Sequence, residues 1–472
     1  MATPFKIDVQ PQDAGLLGLK LGNDEAANVS ELLQKDLENH HVFFSVDGFH
    51  NHLVHHLLTL YGTGASTQDL QKAWDANTSY QLKAMKPREQ VVEQLAKDWD
   101  GAKEHLGKGR QYSSFLRFFQ GEIERIGWKE VLLEYLFKDN ERGRDLQSRL
   151  FGGLLHPLIQ LLYGIEWEQP ALIATGLAQT CVHDNSLHDF FAQSRAAAQP
   201  ASAHTGCILD LYVPDEKLAS SARWTDRNRI RDGVLKRAPG EMVRLASRVA
   251  VRPEELEERT AEMVHAAAYV ATAAAFHPPH VPRYDFGFTY VSVFSFFSYI
   301  PLSCSLSFAA LTKPHLQKLT SRVSHHMTSA PFFLAINKHP WIPTATKTRL
   351  LESKIRLDLL QYIARGRPPL HPERLLRYTP KAASPGVSRP EDLLPRVHGV
   401  VDDGHTVKLA RALLLAQRVS RPYAGRPWVR IPEGDGWLKA LYLLLDANEP
   451  GGVMWVRAAG FDEAWEDIPK EL

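Results

Sequence analysis

Twenty-one histidines against three cysteines set the chemical character of this chain. Imidazole is the usual nitrogen ligand for zinc, iron and copper. Cys181, Cys207 and Cys304 show no CxxC spacing, so neither a thiolate metal site nor a disulfide framework is supported. The stretch "FHNHLVHHLLTLYGTGAS" holds His50, His52, His55 and His56 just ahead of an apolar helical run. His52 and His56 are four apart, so on a helix they share a face and can hold one metal ion between them; ordinary polar contacts at a helix start are the alternative. His156 stands alone in "LFGGLLHPLIQLLYGIE", where a hydrogen-bonded core histidine competes with a ligand. In "RVHGVVDDGHTVKLARALLLA", Asp402 and Asp403 can cap a helix on which His405 and Lys408, three apart, share a face. A lysine beside a metal histidine looks wrong, because an ammonium repels the cation. It becomes useful if burial lowers its pKa and the neutral amine takes up CO2, giving a carbamate that ligates through oxygen.

Simpler catalytic readings fail. The chain has no GxSxG elbow, no HExxH helix and no cysteine in a basic setting, which leaves a histidine-rich oxygenase site. No glycine-rich phosphate loop follows a strand, so a Rossmann site for NADPH or FAD has no support.

The elements that must position these residues read as helices. "VVEQLAKDWDGAKEHL", "YSSFLRFFQGEIERIGWKEVLLEYLF", "EELEERTAEMVHAAAYVATAAAF" and "KTRLLESKIRLDLLQYIARG" all place apolar residues three and four apart, while period-two alternation is rare. The expected fold is all-α, a single large helical domain over residues 1–472 with long connecting loops, among them a Pro-rich loop at 366–398. With 44% hydrophobic and 23% charged residues the composition is that of a globular protein, and a net charge of +1 leaves no electrostatic footprint for nucleic acid or an anionic membrane. No basic and apolar leader is visible at the N-terminus, so the cytoplasm is the default compartment.

One segment resists this pattern. No charge occurs between Asp285 and Lys313, long enough for a membrane span, but six serines and Pro301 lie within "FGFTYVSVFSFFSYIPLSCSLSFAAL" and lower its hydropathy below that of a span.

The motifs "FHNHLVHHLLTLYGTGAS", "LLHPLIQLLYGIE", "DDGHTVKLARAL" and the C-terminal "GDGWLKALYLLLDANEPGGVMWVRAAGFDEAWEDIP" together resemble the questin oxidase-like family of fungal aromatic polyketide pathways. The resemblance spans nearly the whole chain and implies an all-helical oxidoreductase. Such enzymes open anthraquinone-type rings with O2, by Baeyer–Villiger or dioxygenase chemistry, without flavin or haem and in some members with NADPH. The site type it implies is a non-haem Fe(II) held by four histidines and a carboxylated lysine. Carried over, the ligands are His52, His156, His405 and Lys408, with His55, His56 and Asp403 behind them and Phe49, Phe286 and Trp341 as candidate substrate walls. The fourth histidine is expected shortly after an Asp-Phe pair, yet Tyr290 stands where contiguous counting puts it. The pattern resumes at "HHMTSAPFF", where His325 precedes Met327, Thr328 and Ser329. Residues 289–324 therefore read as an insertion or translated intron that splits one motif; a genuine surface loop or membrane-touching segment is the alternative. Two rival functions remain at this stage. One is a zinc-dependent hydrolase using a similar histidine set, and the other a non-catalytic helical scaffold with an incomplete site.

Overall fold

The computed structural model describes residues 1–43, 45, 49–198, 206–213, 215–285, 326–381, 383, 385–448 and 455–471. His325, Phe286, Cys304 and the 289–324 segment lie outside these described residues. The fold is all-α. Isolated bridges such as Phe43 with His50 are the extended pairings among the described residues.

Eleven principal helices carry the argument: α1 (Asn23–Asn39), α2 (Leu53–Gly62), α3 (Tyr112–Ile126), α4 (His156–Glu166), α5 (Pro170–Val182), α6 (Leu256–Ala273), α7 (His326–Ser329), α8 (Thr344–Ala364), α9 (Pro372–Arg377), α10 (His405–Ser420) and α11 (Asp435–Ala447). In α1 the buried set Ala26, Val29, Leu32, Leu33 and Asp36 traces one stripe, the mark of a helix lying on a core. By contrast every residue of α2 is buried, and α10 is buried over most of its length, so these two are central struts.

Helices α4 and α5 cross almost backbone to backbone. A Cβ on Gly164 would sit 2.8 Å from Ile173 N, and one on Gly176 would sit 3.1 Å from the Leu161 Cα, so only glycine allows this approach. α2 packs against α4 and α10, and the short α7 also packs against α4 and α10. A buried ion pair from Arg411 to Glu166 ties α10 to α4, and Glu166 Oε1 also accepts from the Leu16 amide at 2.7 Å. The three elements bearing the candidate ligands are thereby locked to one another.

The Pro-rich 366–398 segment is more structured than its composition suggests. It holds α9, a 3-10 turn (Pro390–Leu393) and a short helix (Leu394–His398). Pro372, Pro390 and Pro395 sit in their first turns, where the missing N–H costs nothing. No described helix is long and apolar enough to cross a membrane.

Candidate metal centre

Three chain segments bring the site together. The first is pinned by Asn51, whose Oδ1 accepts from the Leu53 amide at 2.9 Å and whose amide donates to Asp36 at 2.7 Å. This starts α2 immediately after His52, which is its N-cap residue. The second segment runs through Gly153, Leu154 and Leu155, at φ of 51°, 65° and 67°. Left-handed backbone costs a leucine about 1–2 kcal/mol. That strain turns the chain abruptly into α4, so that His156 is its first residue, braced by Pro157. In the third, Asp402 is the helix cap: its carboxylate accepts from the Thr406 amide and hydroxyl, each at 2.8 Å, and from the Gly404 amide at 2.7 Å. Asp403 is thereby released to point into the site. Gly404, at φ 90°, is required twice over, because a Cβ there would also strike the His56 ring at 2.5 Å.

The resulting geometry is specific. His52 Nε2 and His156 Nε2 lie 3.0 Å apart. The other nitrogen of each ring is already committed: His156 Nδ1 donates to the Gly153 carbonyl at 2.8 Å, and His52 Nδ1 donates to Asp403 Oδ2 at 3.0 Å. In the neutral tautomers this leaves two imidazole lone pairs aimed at each other, which is repulsive unless a proton or a cation lies between them. A cation held by both nitrogens would relieve that repulsion. The second oxygen of Asp403 lies against His405 Nδ1, so one carboxylate orients two histidines. Ligand atoms of His52, Asp403 and His405 all fall within 4.8 Å of one another.

Lys408, one turn beyond His405, is buried, and its Nζ has no hydrogen-bond partner among the described residues. Burial lowers its pKa to about 8, against the opposing pull of Asp403 and Asp402. Burial likewise holds His156 well below the ordinary imidazole range, aided by His55 nearby, and it brings His56 down to about 4. Neutral imidazoles and an amine that loses its proton readily form a donor set suited to a cation. The residues present therefore fit a metal ion.

Of the supporting residues, His55 donates from Nε2 to Gln160 Oε1 at 2.8 Å and stacks on Tyr163 with ring centroids 5.5 Å apart. His56 abuts Gly404, and its ring is not among the ligand atoms that gather with His52. Phe49 is half-buried beside His50. Trp341 sits in a separate aromatic group with Trp128, 5.4 Å away, and His339, 5.6 Å away.

Sequence reasoning passed over His183 and His326. His50 stacks on His156 at 3.7 Å and 8°, and its Nε2 meets His183 Nε2 at 2.8 Å. His183 follows α5 with no distinguishing spacing, so no local signal marks it. His326, the first residue of α7, is buried with its Nδ1 against Asp358, a contact that an adjacent-histidine pair in the sequence does not announce.

Comparison with known proteins identifies the family. The family described as questin oxidase-like matches residues 49–304 and 302–413, the two parts meeting inside the 289–324 segment. A questin oxidase of Aspergillus terreus is 33% identical over 99% of this chain and 98% of its own length. The oxidoreductase AflY of Aspergillus parasiticus is 32% identical over 99% of this chain and 94% of its own. The Baeyer–Villiger oxidase ptaJ of Pestalotiopsis fici is 33% identical, covering 95% of this chain and 94% of the relative.

Proposed function

Given that this chain belongs to the questin oxidase-like family and is an oxidoreductase, we propose that it opens a ring of an anthraquinone-like aromatic polyketide with O2 at a non-haem iron site in fungal secondary metabolism. The observation that carries this reading is the meeting of His52 and His156 through nitrogens whose other ring positions are both committed to acceptors. His52, His156, His405 and Lys408 would hold the ion, with His325 as the expected fifth ligand. The described residue after it, His326, opens a short helix that packs on α4 and α10, the helices of His156 and His405.

Iron(II), when bound, would supply the site for O2 activation. The protein's own contribution is orientation and charge. Asp403 fixes the ring planes of His52 and His405, and the Gly153 carbonyl selects the Nε2 lone pair of His156 as donor. Lys408 in its neutral form adds CO2: a new Nζ–C bond forms, one proton leaves, and the side chain gains an anionic oxygen donor in place of a cation. The buried setting of α2 and α10 keeps bulk water from competing for these positions. Insertion of a single oxygen atom would require two electrons from a reductant such as NADPH and release the second atom as water; dioxygenation would place both atoms in the product.

The test is metal analysis of the purified protein, combined with O2 uptake in the presence of questin, the compound in the relatives' name. Iron near one per chain and substrate-dependent O2 consumption are expected. Zinc in its place with no O2 uptake, or no metal at all, would overturn the reading in favour of a hydrolase or a scaffold.

A further inference from the structure

A second cleft lies apart from the candidate metal ligands. It has a volume of about 710 Å3, sits among α9, the end of α11, the turn after α6 and the C-terminal tail, and is lined by none of the proposed metal ligands. That is a small-molecule volume, within the range of about 300–1,000 Å3 usual for ligand sites.

Its lining is electrostatically lopsided. Arg283, Arg374, Arg377, Lys381 and Lys470 face three carboxylates, Glu373, Asp446 and Glu471. Two of those carboxylates are already engaged. Asp446 accepts from the Tyr378 hydroxyl at 2.5 Å and from the Lys381 amide at 3.0 Å, and Glu373 lies 3.2 Å from His371 Nδ1. Arg374, Arg377 and Lys470 form no ion pair among the described residues. Arg374 and Arg377 are three apart on α9 and so project from one face of it.

The other part of the lining is aromatic. Phe276 and Tyr378 meet with ring centroids 6.4 Å apart, and the bond from the Tyr378 hydroxyl to Asp446 holds that ring as a fixed wall. Guanidinium groups bind phosphate oxygens in bidentate fashion, and flat heterocycles stack on aromatic faces. A lone phosphate would leave most of 710 Å3 unfilled, and the chain's net charge of +1 does not suit a nucleic-acid strand.

We propose that this cleft is a nucleotide site, in which Phe276 and Tyr378 receive a base and Arg374, Arg377 and Lys470 receive a di- or triphosphate. Titration calorimetry of the full-length, metal-loaded protein with ADP and with inorganic pyrophosphate tests this. ADP is expected to bind more tightly than pyrophosphate, and to weaken several-fold as salt rises from about 50 to about 200 mM. The double variant Arg374→Glu with Arg377→Glu should weaken ADP at least about tenfold while metal content and melting temperature stay unchanged, since both side chains are exposed. The milder Arg374→Gln with Arg377→Gln should fall between. No binding of either probe at millimolar concentration, ADP no tighter than pyrophosphate, or an unaltered affinity in both variants would overturn the assignment.

Discussion

Two buried clusters in this protein use the same three residue types and do opposite things with them. On α8, Lys354 is four residues before Asp358, and its Nζ lies 2.6 Å from both carboxylate oxygens, while His326 closes the group from α7. Burial alone would raise the Asp358 pKa, but Lys354 and His326 hold it below the usual carboxylate value. At the candidate metal centre, Lys408 is five residues after Asp403, and Asp403 precedes the helix instead of lying on it. Its oxygens turn to His52 and His405, and the lysine amine is left with no hydrogen-bond partner among the described residues. A lysine, an aspartate and a histidine in the core thus make either a closed structural network or an open donor set. Wiring decides which, because a buried charge that is fully paired has no capacity left for a ligand.

The sharpest way to break this contrast is to replace each lysine by methionine. Lys408→Met is expected to lower substrate-dependent O2 uptake by more than about 100-fold, beyond the effect typical of an outer partner of a metal site, and to abolish the iron content. With both proteins stripped of metal, its melting temperature should hold or rise, since an unpaired buried amine is removed. Lys354→Met should behave in the reverse way. It leaves Asp358 in the core without its cation, so chemical denaturation should show a loss of about 3–5 kcal/mol, largely restored when Asp358→Leu is added. If Lys354→Met were neutral for stability while removing iron, the two clusters would have to be one.

A smaller effect is expected at Asp403→Asn, which keeps the shape but weakens the hold on both rings. Iron affinity, measured by competition with a chelator, should fall about 10–100-fold with little change in stability. A separate check, away from the candidate ligands, is a pH dependence of the metal-free protein. Burial pushes His41 and His265, both outside the centre, down to about 4. Between about pH 6.5 and pH 4 the unfolded chain takes up protons on these rings that the folded chain refuses. Stability therefore falls as pH drops through that window, by about 1.4 kcal/mol per pH unit for each ring. Double replacement of His41 and His265 by glutamine should flatten the slope in denaturation curves.

Much of this was legible in the residues. The spacing of three and four between apolar side chains is a local property of a helix, so the all-α class follows from the periodicity alone. The placing of His405 and Lys408 on one helix face follows from three-residue spacing, and the oddity of a lysine there is what raises the expectation of a carbamate. What the chain's order could not convey is which atoms meet across long separations. His52 and Asp403 are 351 positions apart and His50 and His183 are 133 apart. Of the adjacent Asp402 and Asp403, only the fold decides that one caps and the other orients two rings. The left-handed run from Gly153 to Leu155 is equally invisible, since leucines do not announce φ above zero. Residue types and helical period are properties of neighbours in sequence, whereas a metal centre is a property of nitrogen and oxygen lone pairs converging on one point, and only the packing of α2, α4 and α10 determines that point.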